Sequence, residues 1–273
     1  DEVHLQHICR IVDGMPLALE LAAAWADSYS LAAIAGEIQK GLSLFENDQR
    51  GLPARHRSMR AVFDASWQQL SSQEQDMLAA LSVFRGGFTP EAAEMVVGAS
   101  RENIRGLVGK SLLQLSDPER YTMHELLRQY VAERSDQPNG ANGTRERHLA
   151  FFLTLAEEAG ANIRGPTQSA WVRRLEFEYH NVMAALHFAT QQDHWEAAAR
   201  LAGAMGEYWV IRGLVAEGAT WVDTILNAAT ELSAGLRASL LTAAGGLAFE
   251  GGSYPRAQRL YEASLAAWRE AGA

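Results

Sequence analysis

The chain reads as a mainly α protein in three parts. A helical segment spans residues 1–46, a winged-helix-like domain with a small β-wing spans 55–135, and a solenoid of tetratricopeptide-like helical repeats spans 145–273. Three observations predict this. Apolar residues recur at helical spacing through most of the chain. Two short β-forming runs flank a Ser-Asp-Pro-Glu turn at 116–119 and stand alone. Small residues recur at a 39-residue offset near the C-terminal end.

Val3, His4, His7, Ile8, Ile11 and Val12 share one helical face, and Gly14 breaks the pattern. Pro16 sits where a second helix begins, a position that tolerates a missing N–H. Leu17, Leu19, Leu21 and an alanine run carry that helix to about Trp25, and Ser30 caps another through Ile38. Residues 47–57 are polar, contain Gly51 and Pro53, and predict a linker. Met59 to Leu70 gives the next helix. Ser71-Ser72-Gln73-Glu74 is a capping-box arrangement that starts another, through Leu81. Thr89-Pro90-Glu91 starts a third in a similar way, and Ile104, Leu107 and Val108 mark a fourth. Leu112 to Leu115 and Tyr121 to Met123 predict a hairpin, and His124 to Arg134 closes the domain with a helix.

Asp136 to Gly143 predicts a second linker. Beyond it Leu241, Gly245, Ala248, Tyr254, Ala257, Tyr261 and Leu265 have tetratricopeptide spacing, in which small residues let paired helices approach. Gly206, Val215, Gly218, Val222 and Leu226 form a degenerate copy 39 residues earlier.

Composition excludes several classes. The 273 residues are 48% hydrophobic with seven Trp, enough for about two cores and too apolar for general disorder. No apolar run of membrane-spanning length exists, so no membrane association is predicted. Cys9 is alone, which predicts no internal disulfide and a cytoplasmic setting. The chain opens at Asp1 inside a helical pattern and reads as a piece of a longer protein. The net charge of −9 is uneven: Lys and Arg against Asp and Glu number 3 to 8 over 1–54, 10 to 10 over 55–135, and 11 to 15 over 136–273. Affinity for nucleic acid comes mostly from neutralising phosphates, so direct binding of nucleic acid is not expected.

Few residues carry chemistry. Gly109-Lys110-Ser111 resembles the end of a phosphate loop, but the first glycine that such a loop needs is replaced by Ile104. A helix C-terminus explains it better. His4 and His7 lie one turn apart with no further ligands of suitable type nearby, so no metal site is predicted. No Ser/His/Asp or Cys/His arrangement has the surroundings of a nucleophile, so no catalytic residue is predicted and the chain reads as no enzyme. Two places remain. Gly14 and Pro16 could bring backbone and a rigid apolar ring against a flat ligand. His124 stands where a strand meets a helix N-terminus, a position suited to anions, with Arg128 one turn further on. Both places also have plainer readings: a helix entry for Pro16, a capping histidine for His124, and a salt bridge to Glu125 or Glu133 for Arg128.

Taken together, Gly14-Met15-Pro16-Leu17-Ala18-Leu19, Arg57-Ser58-Met59-Arg60-Ala61, Phe84-Arg85-Gly86-Gly87-Phe88-Thr89-Pro90-Glu91 and Met123-His124-Glu125-Leu126-Leu127-Arg128 resemble bacterial STAND-class signal-transduction ATPases. These are related to the NB-ARC proteins and often occur in transcriptional regulators. Glu176 to Leu186 resembles the opening of their helical-repeat region. The resemblance implies that 1–46 is the helical lid of an ATPase module, that Pro16 packs on adenine, and that His124 touches the β-phosphate of bound ADP. The family's aspartate after the histidine is Glu125 here. Walker A and B motifs are absent from this sequence. No cofactor is therefore expected on this chain alone; ADP or ATP with Mg would belong to the intact parent. The partners implied are an upstream nucleotide-binding domain of the same polypeptide, a protein or small-molecule inducer on the repeats, and further copies of itself in the active state. The function implied is a non-catalytic sensor that couples inducer binding to nucleotide-controlled opening and a transcriptional output. Two alternatives are a DNA-binding winged helix, with 101–110 as its recognition helix, and a stand-alone peptide-binding repeat scaffold.

Overall fold

A computed structural model describes residues 2–11, 19, 26, 30–40, 63, 67, 70–110, 112–117, 119–134 and 138–272. The protein is mainly α-helical, with one two-stranded sheet among the described residues. It divides into two compact units, Asp1–Thr144 and Arg145–Ala273. No helix of the described residues is long and apolar enough to cross a membrane. The first predicted linker (47–57) lies outside the described residues.

In the first unit α1 (Glu2–Ile11) packs against α2 (Leu31–Lys40). α3 (Ser72–Leu81) begins with the capping box read from sequence. Ser71 Oγ accepts from the Glu74 amide at 3.3 Å, while Glu74 Oε2 accepts from the Ser71 amide at 2.9 Å. Two amides that the helix leaves unpaired are thereby satisfied. α4 (Pro90–Val97) has Thr89 as cap and Pro90 at its first position, and it ends at Gly98 with φ 72°. After Ala99, Ser100 caps α5 (Arg101–Gly109) in a second box with Asn103. The two helices are thus joined by a three-residue turn.

The hairpin pairs β1 (Gln114–Asp117) with β2 (Arg120–Thr122), antiparallel, with an irregularity between Leu115 and Asp117. This lies two residues beyond the predicted first strand. Leu112 and Leu113 are buried ahead of it, so that apolar run fills the core and does not pair. Phe88 bridges Tyr121 through both backbone hydrogen bonds, adding a third strand position ahead of α4. The buried Arg120 guanidinium donates to the carbonyls of Gly86 and Gly87 at 3.1–3.3 Å. Gly87 has φ 94°, and a Cβ there would lie 2.7 Å from the Tyr121 carbonyl oxygen. That approach requires a glycine at position 87. α6 (Glu125–Arg134) buries Leu126, Leu127, Tyr130 and Val131. Tyr130 receives the rings of Phe63 and Trp67.

α7 (Pro138–Asn162) starts inside the second predicted linker. Pro138 occupies the first position of α7, where its missing N–H costs nothing. The second unit continues with α8 (Gln168–Gln191), α9 (Trp195–Ile211), α10 (Val215–Ala228), α11 (Ala234–Glu250) and α12 (Tyr254–Glu270). The starts of α9 and α10 recur at α11 and α12 with the 39-residue offset seen in the sequence.

Glycines set the helix spacing here. A Cβ on Gly206 of α9 would lie 2.7 Å from the Ala243 Cβ of α11. One on Gly160 of α7 would meet the Ala204 carbonyl oxygen at 2.9 Å. Gly218 lies under the Trp209 indole and Gly245 under the Tyr261 ring. A helical glycine costs up to about 1 kcal/mol relative to alanine. Here that cost is offset by backbone-to-backbone packing. Between α7 and α8 the core holds a polar chain: Asn181 donates to Glu178 Oε2 at 2.8 Å, and its Oδ1 lies 3.5 Å from His148 Nε2. All three residues are buried.

Candidate functional site

Among the described residues, the entry to α6 and a groove in the repeat unit combine polar groups with access. β2 ends at Thr122 and α6 starts at Glu125, so His124 stands at the junction. Its carbonyl accepts from the Arg128 amide at 2.9 Å, and its Nδ1 accepts from the Leu126 amide at 3.3 Å. His124 is therefore the cap of α6. An accepting Nδ1 carries no hydrogen, so in the neutral ring the hydrogen sits on Nε2.

Arg128, one turn on, is 8% exposed. Its Nε and Nη2 reach the two oxygens of Glu125 at 2.8 and 2.6 Å. Gln129 Nε2 donates to the same carboxylate at 3.0 Å. Of the two partners weighed from sequence, Glu125 holds the guanidinium in a two-pronged pair. The carboxylate also lies in the first turn of α6, where the helix dipole favours negative charge. His124, Glu125 and Arg128 thus form one corner with a donor, an acceptor and a cation. Gly14 and Pro16 lie outside the described residues.

Lys110 follows the last turn of α5 and donates to Glu74 Oε1 at 2.5 Å. That hydrogen bond, with those from Ser71, pulls the Glu74 carboxyl down to about 2. Gly109 and Lys110 form the end of α5, while Ser111 lies outside the described residues.

The second place is a groove of about 610 Å³ in the repeat unit, among α7, α9, α11 and α12. Its floor includes Gly160, Gly203, Ala204 and Gly246, and Tyr261 and Trp268 stand at one side. Its lining includes two ion pairs, Arg200 to Glu157 at 2.7 and 2.8 Å and Arg164 to Glu207 at 2.5 Å. Sequence reading missed this groove. Both pairs join residues 43 apart with the charges exchanged, a separation that no local pattern in the sequence reports. Tyr208 and Trp209 are buried in the repeat core, with Tyr208 stacked on Tyr179. The Tyr179 hydroxyl accepts from Trp209 Nε1 at 3.3 Å. Burial, then a hydrogen bond to Glu217, pushes its pKa up.

No family model matches the sequence. The chain is similar to proteins of Mycobacterium tuberculosis (strain H37Rv) and Mycobacterium bovis named, by inference, HTH-type transcriptional regulators. Each is 31% identical over 230 residues, covering 81% of this chain and 26% of the relative. This chain therefore spans about a quarter of the length of those regulators. An uncharacterized protein of Mycobacterium tuberculosis is 30% identical over 158 residues, covering 54% of this chain and 40% of its own. Among solved structures, a Signal Transduction ATPase with Numerous Domains protein with a tetratricopeptide repeat sensor, from Pyrococcus horikoshii, overlays with TM-score 0.41. It is 16% identical and covers 92% of this chain and 40% of that one. A likeness that distant does not inform on the site.

Proposed function

We propose that this chain is a non-catalytic regulatory segment of a STAND-type nucleotide-switch ATPase that controls transcription in the cytoplasm. Its first unit holds a lid segment and a winged helix, and its second is the inducer sensor. In this reading ADP, with Mg in the intact protein, bridges the upstream nucleotide-binding domain, Pro16 and His124 in the off state. Inducer bound to the repeats releases the winged helix, nucleotide exchanges, and copies self-associate. A bias of a few kcal/mol between two states is enough for such a switch.

The observation that carries the reading is the His124 corner. A helix cap fixes the imidazole so that Nε2 is the donor, at a helix N-terminus that favours anions. A β-phosphate oxygen is an acceptor of the right charge for that donor. The names of the mycobacterial relatives support a transcriptional role, and the helical hairpins support a sensing surface. The test is ADP release from the full-length protein. His124→Ala is expected to speed release about tenfold or more and to raise basal output. Unchanged release would remove His124 from the nucleotide site.

A second reading, DNA binding, is favoured by the helix, three-residue turn and helix at α4 and α5. Exposed Arg101 and Arg105 would face phosphates. Against it, Glu102 is exposed on the same helix and Lys110 is held by Glu74. A gel shift that weakens steeply with salt and is lost on Arg105→Ala would establish this reading.

A further inference from the structure

α12 packs on α11. On that side Ala257, Ser264 and Ala267 are buried, and Ser264 Oγ donates to the Ala238 carbonyl at 2.8 Å. The adjoining face of α12 is open: Tyr254, Tyr261, Leu265 and Trp268 are 62%, 43%, 52% and 38% exposed. With Gln258 they follow alternating spacings of four and three residues, the seam that one helix presents to another. The preceding repeat shows such a face covered. Thirty-nine residues earlier the matching positions on α10 are Val215, Val222, Leu226 and Ala229. Val222 and Ala229 are buried, Val215 and Leu226 partly so, and α11 packs against that helix. On α12 the same positions carry larger, mainly aromatic side chains in contact with water. A contiguous apolar patch of this kind marks an interaction site.

The charges beside the stripe select its occupant. Glu262 and Arg269 are exposed, lie seven residues apart and so stand on the same flank. From this we infer that a second copy of this chain covers the face, its α12 running antiparallel to the first about a two-fold axis near Leu265. Tyr261 of each copy then meets Trp268 of the other, Leu265 meets its own counterpart, and Glu262 of each lies opposite Arg269 of the other. One surface serves both partners, as a two-fold interface demands. The net charge of −9 opposes association of like chains. The apolar stripe therefore supplies the attraction, and the two exchanged ion pairs set direction and register. The contact needs no nucleotide and does not rest on the switch.

Sedimentation equilibrium of this chain is expected to show monomer and dimer in exchange, with dimer predominating by about 100 µM. Leu265→Glu, at an exposed position, is expected to leave only monomer that still melts cooperatively. Trp268→Ser provides a second apolar variant should Leu265→Glu fail to do so. Glu262→Arg sets arginine against arginine and is expected to weaken the dimer about tenfold. The double exchange Glu262→Arg/Arg269→Glu returns opposite charges to the same register and is expected to recover it. A chain that stays monomeric at about 100 µM overturns the inference, and the face then takes another occupant. So does a dimer indifferent to these variants, or one that Glu262→Arg weakens and the double exchange does not recover.

Discussion

Glu125 and Arg128 form a two-pronged ion pair across the first turn of α6, with contacts of 2.8 and 2.6 Å, directly beside the capping His124. The guanidinium is nearly buried, while the carboxylate side chain keeps 44% of its exposure. The two partners should therefore respond unequally to mutation. Glu125→Ala strands a buried cation and should cost about 1–3 kcal/mol. Arg128→Met leaves a carboxylate that water can reach and should cost less. Urea unfolding of both variants checks this, and the reverse order would contradict it.

Two groups of glycines should behave oppositely. Gly206→Ala places a methyl 2.7 Å from the Ala243 Cβ and should destabilise by about 1–3 kcal/mol, despite the better helix propensity of alanine. Gly106, in α5, has nothing within 4 Å of a would-be Cβ. Gly106→Ala should therefore stabilise by about 0.5–1 kcal/mol. Thermal melts distinguish the two. A stabilised Gly206→Ala would mean that α9 and α11 are not in backbone contact.

The contrast between these glycines shows what the sequence makes legible. Caps such as Ser71-Glu74 and Thr89-Pro90 were readable because both partners lie within one turn. The close-approach glycines were readable because Gly206 and Gly245 recur with the repeat. Leu112 and Leu113 looked like a strand because a short apolar run does not distinguish pairing from burial. Pro138 falls in a polar, glycine-containing stretch that reads as a linker, although the same residue type starts helices. The groove stayed hidden because its ion pairs join residues 43 apart, a distance over which local periodicity carries no information.

The bond from Lys110 should appear in acid titration. Glu74 is held near 2 against an ordinary value of 4.5. A depressed carboxyl binds its proton more readily unfolded, so its stabilising contribution is complete above about 4.5 and is lost as pH falls towards 2. Carboxyl NMR should place the Glu74 midpoint near 2, and Lys110→Ala should raise it. An unmoved midpoint would break the link between α3 and the end of α5.

The reading of this chain as one side of a nucleotide switch is tested most directly by photolabelling the full-length protein with 8-azido-ADP and mapping the adducts by mass spectrometry. The account predicts adducts within residues 14–24 around Pro16, suppressed by excess ADP and weakened by His124→Ala. Saturable labelling confined to other parts of the polypeptide would contradict it.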